Sequence, residues 1–195
     1  MKHIAFYRSA CLLEESAAES LRLELEIIFG PASPLDRFEE KWKYVPKNDL
    51  GNLNFAVQIV EFQYSHDAGD ASSRVCYLGS KLLGGLTAVE VSVSPQVRRF
   101  FAQSGFKIES DHACLGWRFK TREGVTIDIY KAMNAHVNGE IAWERGEEIL
   151  PGKVFCELSI KCDPVALPKR KEFIETVFNS HIKRFSSSDL TVIDI

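Results

Sequence analysis

The sequence predicts an α+β fold: an antiparallel β-barrel of about eight strands, flanked by two or three helices. Three observations carry this expectation. Segments of apolar–polar alternation recur along the chain, TAVEVSV at 87–93 and KVFCELSIKC at 153–162 being the clearest. Helical periodicity is confined to three stretches, and several strands separate each from the next. A parallel α/β sheet would instead alternate strand and helix one by one.

The chain opens with a strand over residues 2–8, in which Ile4 and Phe6 face one way and Ala5 and Tyr7 the other. Leu13, Ala17, Leu21, Leu25 and Ile28 then recur at helical spacing. LRLELEII also fits strand alternation. Glu14 and Glu15 in the first turn and the Ala17-Ala18 pair favour the helix, and Gly30-Pro31 ends it. FEEKWKYVP at 38–46 reads as a strand with Phe38, Glu40, Trp42 and Tyr44 on one face. A turn over 48–54, a strand FAVQIVEFQY, a polar loop SHDAGDASS and a short strand RVCYLG follow. Gly79, Gly84 and Gly85 read as a turn before TAVEVSV.

Ser94-Pro95 then has the chemistry of a helix start, a capping hydroxyl followed by a preset φ. That helix carries Val97, Phe100 and Phe101 on one face and stops at Gly105. FKIESDHACLGWRFK is one long strand, or two joined near Gly116. Arg122-Glu123-Gly124 turns the chain into the strand VTIDIYKAM. Residues 134–152 form an irregular insertion before KVFCELSIKC. Pro164 and Pro168 bracket the entry to a last helix with the stripe Phe173, Ile174, Val177, Phe178, Ile182 and Phe185. LTVIDI closes the chain as a strand. No repeat or linker is evident, so residues 1–195 read as one barrel domain with an insertion at 134–152.

Composition bounds the function. A net charge of −3 lacks the basic footprint of a nucleic-acid binder. Lys169-Arg170-Lys171 is the one dense basic run and reads as a solvated first turn. Thirteen phenylalanines argue for a well-filled interior. The five cysteines, Cys11, Cys76, Cys114, Cys156 and Cys162, have neither zinc-knuckle spacing nor an even count, and read as free thiols in a reducing compartment. No secretory leader or membrane span is expected.

One stretch has a family likeness. FFAQSGFKIESDHACLGWRFK followed by VTIDIYK, with the pairs Gly105-Phe106 and Tyr130-Lys131, resembles the central part of the Mediator subunit 18 family. The opening KHIAFYRSACLLEESAAESL is similar to that family's first strand and helix, and CYLGSK to the Tyr-Leu-Gly step before its central strand. The resemblance implies an antiparallel barrel flanked by helices and a non-enzymatic coactivator role in the head module serving RNA polymerase II, in the nucleus. It implies pairing with Mediator subunit 20, itself a related barrel and a rival identity, and capture of a C-terminal helix of Mediator subunit 8. Contact with the polymerase would be indirect, with no membrane and no cofactor.

The same barrel is shared with metal-dependent triphosphate tunnel enzymes, which sets the alternative. Those enzymes carry Glu-x-Glu pairs on strands, where both carboxylates share one face and hold a dication. Here the one such pair, Glu24-Leu25-Glu26, falls on a predicted helix, where i and i+2 diverge. The strands offer single carboxylates, Glu90, Asp128 and Glu157, each on the non-core face and so solvated or tunnel-lining. Asp111-His112 beside Cys114 could bring a thiol and an imidazole onto one strand face, with no orienting third group in view. No catalytic, cofactor-binding or metal-binding residue is therefore expected. The expected partner-binding residues are Ile141, Trp143, Ile149 and Leu150, large apolar side chains in an acidic insertion containing Glu140, Glu144, Glu147 and Glu148. Trp143 either plugs the barrel end or anchors a basic partner segment.

Overall fold

A computed structural model describes residues 4–44, 59–65, 74–82, 85–92, 97–134, 136–137, 140–141 and 146–192. The strands are β1 (Ile4–Glu14), β2 (Ser33–Tyr44), β3 (Ile59–Ser65), β4 (Arg74–Leu82), β5 (Gly85–Ser92), β6 (Phe106–Lys120), β7 (Val125–Met133), β8 (His136–Val137), β9 (Glu140–Ile141), β10 (Lys153–Cys162) and β11 (Thr191–Val192). The helices are α1 (Glu15–Phe29), α2 (Val97–Gln103) and α3 (Leu167–Val177). The sheet order β10-β7-β6-β2-β3-β4-β5-β1 is closed by pairing of β1 with β10. All these pairings are antiparallel. The result is the predicted α+β architecture, an eight-stranded antiparallel barrel with helices outside it.

Alternation gives each wall strand two different faces. On β1, β7 and β10 the outer face is apolar: Cys11 and Leu13, Val125, Ile127 and Ile129, and Val154, Cys156, Leu158 and Ile160 are all buried. They pack against Ala18, Leu21 and Leu25 of α1 and Ile174 and Val177 of α3. The hydrophobic core therefore lies between the barrel wall and the helices, and the other face of the same strands is free to be polar.

Several boundaries depart from the sequence expectation. β1 runs on to Glu14, so Leu13 ends a strand instead of starting the helix. Its backbone is held there by the Leu13–Val154 register with β10. Ile28 lies on an exposed flank of α1, while Leu21 and Leu25 take the buried face. β2 starts at Ser33, earlier than its aromatic residues suggest. Gly79 is inside β4, opposite Ala88 of β5, and is not in a turn. Phe100 is 63% exposed, whereas Phe101 stacks edge-on against Phe106.

β6 is one continuous strand of 15 residues. Gly116 does not break it. A Cβ there would sit 2.0 Å from the Ile129 carbonyl oxygen, so only glycine lets β7 approach this closely. The turn at Gly124 forms as expected, with φ of 84°. The last helix is longer than α3 alone. It continues as a π-turn over Phe178–Ile182 and a tighter turn over Lys183–Phe185, with Phe178 and Ile182 buried and Phe173 and Phe185 packed at the rim. At the end of the insertion the chain returns to β7: the Asn134 amide donates to Glu147 and the Ile149 amide to Ala132. The expected turn at 48–54, the start of the strand at 55–58, most of the loop at 65–73, Gly84 and Ser94-Pro95 lie outside the described residues.

Candidate functional site

The lumen faces of β1, β2, β6, β7 and β10 carry Arg8, Arg37 and Glu39, Arg118, Asp128 and Tyr130, and Glu157. Arg8 on β1 and Glu39 on β2 are separated in the sheet by β10, β7 and β6. Their contact at 3.2 Å can only be made through the barrel interior. Arg8 also donates from Nε and Nη2 to the two oxygens of Glu157, at 3.0 and 2.7 Å, a bidentate fork. Arg37 Nη1 donates to Asp128 at 2.6 Å, and its Nη2 reaches Glu157 at 3.4 Å. Arg37 Nε lies 2.5 Å from Glu39 as a poorly aligned ion contact. Arg118 forks onto Asp128 at 2.8 and 2.7 Å, and the Tyr130 hydroxyl donates to Glu157 at 3.2 Å.

Three guanidiniums thus face three carboxylates. Arg8, Arg37, Glu39, Asp128 and Glu157 are each no more than 7% exposed. A buried ion cluster is tolerated only when every charge is matched and hydrogen-bonded, as here. Burial would raise the Glu39 carboxyl, but Arg8 and Arg37 outweigh it and bring it down to about 2. Arg37 is held charged well above its usual range: burial opposes this, and Glu39, Glu157 and Asp128 overcome it.

Among the described residues, Glu39, His112 and Cys114 offer ligand atoms within 4.8 Å of one another. The donor set suits a borderline-soft dication in type, but its surroundings do not. Both oxygens of Glu39 already face guanidiniums. Burial and the neighbouring Glu39 push the Cys114 thiol well up, so it stays protonated. Burial, with Arg8 and Arg37, pulls His112 down and keeps it neutral. A dication would have to displace an arginine and deprotonate a buried thiol. The same thiol state argues against a Cys114–His112 nucleophile pair, which requires a thiolate.

The sequence-predicted carboxylates Asp128 and Glu157 do line the lumen. Of Glu90, only its backbone position on β5 is described, opposite Tyr77. The Glu24-x-Glu26 pair sits on α1 as expected: Glu24 meets Arg184, and Glu26 accepts from Arg22. Of the insertion residues, Ile149 and Leu150 are 47% and 40% exposed. Ile141 belongs to the small β8–β9 hairpin, and Trp143 lies outside the described residues. The lumen residues Arg8, Arg37, Glu39 and Arg118 were not legible as a site. Their signal was an arginine or glutamate at period two between apolar neighbours, as in Arg37-Phe38-Glu39.

No protein-family model matches the chain, and no curated protein matches it. Solved structures do. A chain of the Schizosaccharomyces pombe Mediator head module aligns with a TM-score of 0.70 at 11% identity, covering 96% of this chain and 99% of that one. A candidate adenylate cyclase from Vibrio parahaemolyticus aligns at 0.54 and 10% identity, with 94% of each chain covered. A Hippeastrum protein described as a candidate adenylyl cyclase with a dominant triphosphatase activity aligns at 0.50 and 13%, covering 95% of this chain and 92% of that one. At these identities the likeness establishes the fold. That fold is shared by a Mediator head subunit and by proteins described as enzymes.

Proposed function

We propose that this chain is a non-enzymatic interaction subunit of a Mediator head module, of the subunit 18 type, acting in the nucleus as a single barrel domain. The observation that carries this reading is the state of the lumen carboxylates. Glu39, Asp128 and Glu157 are each already bound by arginine. Tunnel hydrolysis needs strand-borne carboxylates available to a dication, and among the described residues the lumen offers none in that state. The near end-to-end likeness to the Schizosaccharomyces pombe head-module chain supports the same reading. No helix among the described residues is long and apolar enough to cross a membrane.

The partners in this reading are a subunit 20-type barrel and a C-terminal helix of subunit 8. The docking residues are Ile141, Trp143, Ile149 and Leu150. Ile149 and Leu150 are exposed, and their segment is tied to β7 by the Lys131–Glu148 ion pair at 2.6 Å. An apolar pair presented from an anchored backbone loses little entropy on binding. Co-expression with the cognate subunit 20 and the subunit 8 C-terminal segment, followed by size-exclusion chromatography, tests the proposal.

The tunnel phosphohydrolase remains the second reading because the lumen is charged and the Hippeastrum protein is described as a triphosphatase. It requires divalent-dependent release of orthophosphate from a triphosphate, lost on Glu157→Ala.

A further inference from the structure

Cys11 on β1 and Cys156 on β10 are direct register partners. Both lie on the outer face of the wall, in the buried cluster beneath α1 and α3. Their thiols are in hydrogen-bond contact. Residues directly opposite on antiparallel strands have Cα atoms about 4.5–5.5 Å apart. A disulfide spans about 4.4–6.8 Å, so the register itself brings the two cysteines within bonding geometry. The other cysteines are poorly placed to compete. Cys162 is six residues further along β10, opposite Ala5, and so roughly 20 Å from Cys156. Cys114 faces the lumen beside Glu39. Cys76 is on β4, which neighbours neither β1 nor β10.

The pair sits on the seam that closes the barrel. β1 and β10 are in register from Ala5–Cys162 to Glu14–Lys153. The other edge of β1 is held only briefly among the described residues, by β5 at Ile4 and Ala5 and by β11 at Ser9 and Ala10. Cys11 is covered by a thin strap. The Ser186 hydroxyl touches its thiol and donates to the Leu12 carbonyl, the Ser187 amide donates to the same carbonyl, and the Leu12 amide donates to the Ser188 hydroxyl. Ser187 and Ser188 are exposed, so this strap alone separates Cys11 from solvent on that side. The two thiols are also unlike. Contact with Cys156, aided by Ser186 and opposed by burial, lowers Cys11 below the ordinary thiol value. The same contact and burial push Cys156 well up. Cys11 is thus the better nucleophile and Cys156 the partner that keeps its proton.

We propose that Cys11 and Cys156 are a peroxide-sensitive dithiol whose reversible disulfide locks the barrel seam. The Cys11 thiolate attacks a peroxide oxygen; the O–O bond breaks, leaving Cys11 as a sulfenic acid and releasing hydroxide, which takes up a proton as water. The Cys156 sulfur then attacks the sulfenic sulfur. The S–S bond forms, the S–O bond breaks, and hydroxide leaves with the Cys156 proton as a second water. Two thiols and one peroxide give one disulfide and two waters. A dithiol reductant reverses the step by exchange and is itself left as a disulfide. In a reducing compartment the pair rests as thiols, and the bond marks oxidising conditions. Because residues 11 and 156 are far apart in the chain, the link restricts the unfolded state strongly and stabilises the closed barrel. None of this depends on which protein partner the chain has.

The test treats the reduced, folded chain with a small excess of hydrogen peroxide well below its melting temperature. Free thiols are then blocked and disulfides mapped by mass spectrometry without reductant. A Cys11–Cys156 link is expected, and dithiothreitol should remove it. The oxidised chain should melt roughly 5–15 °C above the reduced one. Cys162→Ser should keep this difference, and Cys11→Ala and Cys156→Ala should each abolish it. The comparison is between oxidised and reduced forms of the same variant, so a lower melting temperature of the variant itself does not enter. If either alanine variant fails to fold, the mapping of the parent decides. Survival of both thiols in the folded chain would overturn the proposal. So would a link that forms only after denaturation, pairing with another cysteine, Cys11 ending as a sulfinic acid beside an intact Cys156 thiol, or a link that leaves the melting temperature unchanged.

Discussion

Arg8 on β1 and Glu157 on β10 form a two-pronged ion pair across adjacent barrel strands, with Nη2 to Oε2 at 2.7 Å. They sit on neighbouring rungs, since Arg8 is in register with Ser159 and Glu157 with Ala10. Both are almost fully withdrawn from water. Removing one partner leaves a buried charge uncompensated, which costs about 3–5 kcal/mol. Glu157→Ala and Arg8→Ala should each destabilise the chain by that order in denaturant unfolding. The double variant Arg8→Met/Glu157→Leu should recover much of the loss. If either single variant unfolds like the parent, the lumen network is not the closed one described.

The lumen also sets the acid stability. The Glu39 carboxyl is depressed from 4.5 to about 2 by its arginines, against the effect of burial. Its contribution is fully present above the unfolded value and is lost as pH falls from 4.5 toward 2. His112 is shifted down, chiefly by burial, so the unfolded chain takes up its proton first as pH falls through 6.5. Both groups therefore make the fold weaker in acid. Melting temperature should decline below pH 6.5 and more steeply below 4.5. His112→Asn should remove the upper part of the decline, and Glu39→Gln the lower part, the latter from a lower starting stability.

The outer core depends on the last helix. Phe178 is buried in the cluster that joins α1, α3 and the barrel wall. Phe178→Ala should cost about 3–5 kcal/mol. At roughly 2–4 °C per kcal/mol for a chain of this size, the melting temperature should fall by many degrees. An unchanged melting curve would mean the helix does not dock on the wall.

The insertion makes the opposite forecast. Ile149 and Leu150 are substantially exposed. Ile149→Ser/Leu150→Ser should leave the melting temperature within a degree or two and weaken capture of the subunit 8 segment by about 2 kcal/mol or more. Trp143→Ala separates the plug from the anchor: a plug loses stability, an anchor loses binding. Loss of stability without loss of binding would remove this segment from the interface.

Much of the fold was legible because local pattern and burial agree. KVFCELSIKC has the observed bounds of β10, and its even positions face the core. Asp128 and Glu157 interrupt an apolar alternation, which placed them on the non-core face, solvated or tunnel-lining; barrel closure makes that face the lumen. The arginine side of the network was not legible. Arg8, Arg37 and Arg118 meet their acids across sequence separations of 149, 91 and 10 residues, and the longest exists only once β1 pairs with β10 to close the barrel. Glu40 shares the outer face with Phe38 and Trp42 as its spacing indicates; its burial, with the Trp42 indole donating to it at 3.2 Å, had no sequence signal. Leu13 and Gly79 were misplaced for a different reason: strand pairing with β10 and β5 overrides the local preference for helix and turn.

The most direct test of the central claim is reconstitution. The chain, the cognate Mediator subunit 20 and the C-terminal segment of subunit 8 should be co-expressed, passed over size exclusion and assayed for divalent-dependent triphosphate hydrolysis. One stoichiometric complex that withstands dilution and releases no orthophosphate above background is expected. A chain that elutes alone and hydrolyses triphosphate with Mg²⁺ or Mn²⁺, in a manner abolished by Glu157→Ala, would contradict it.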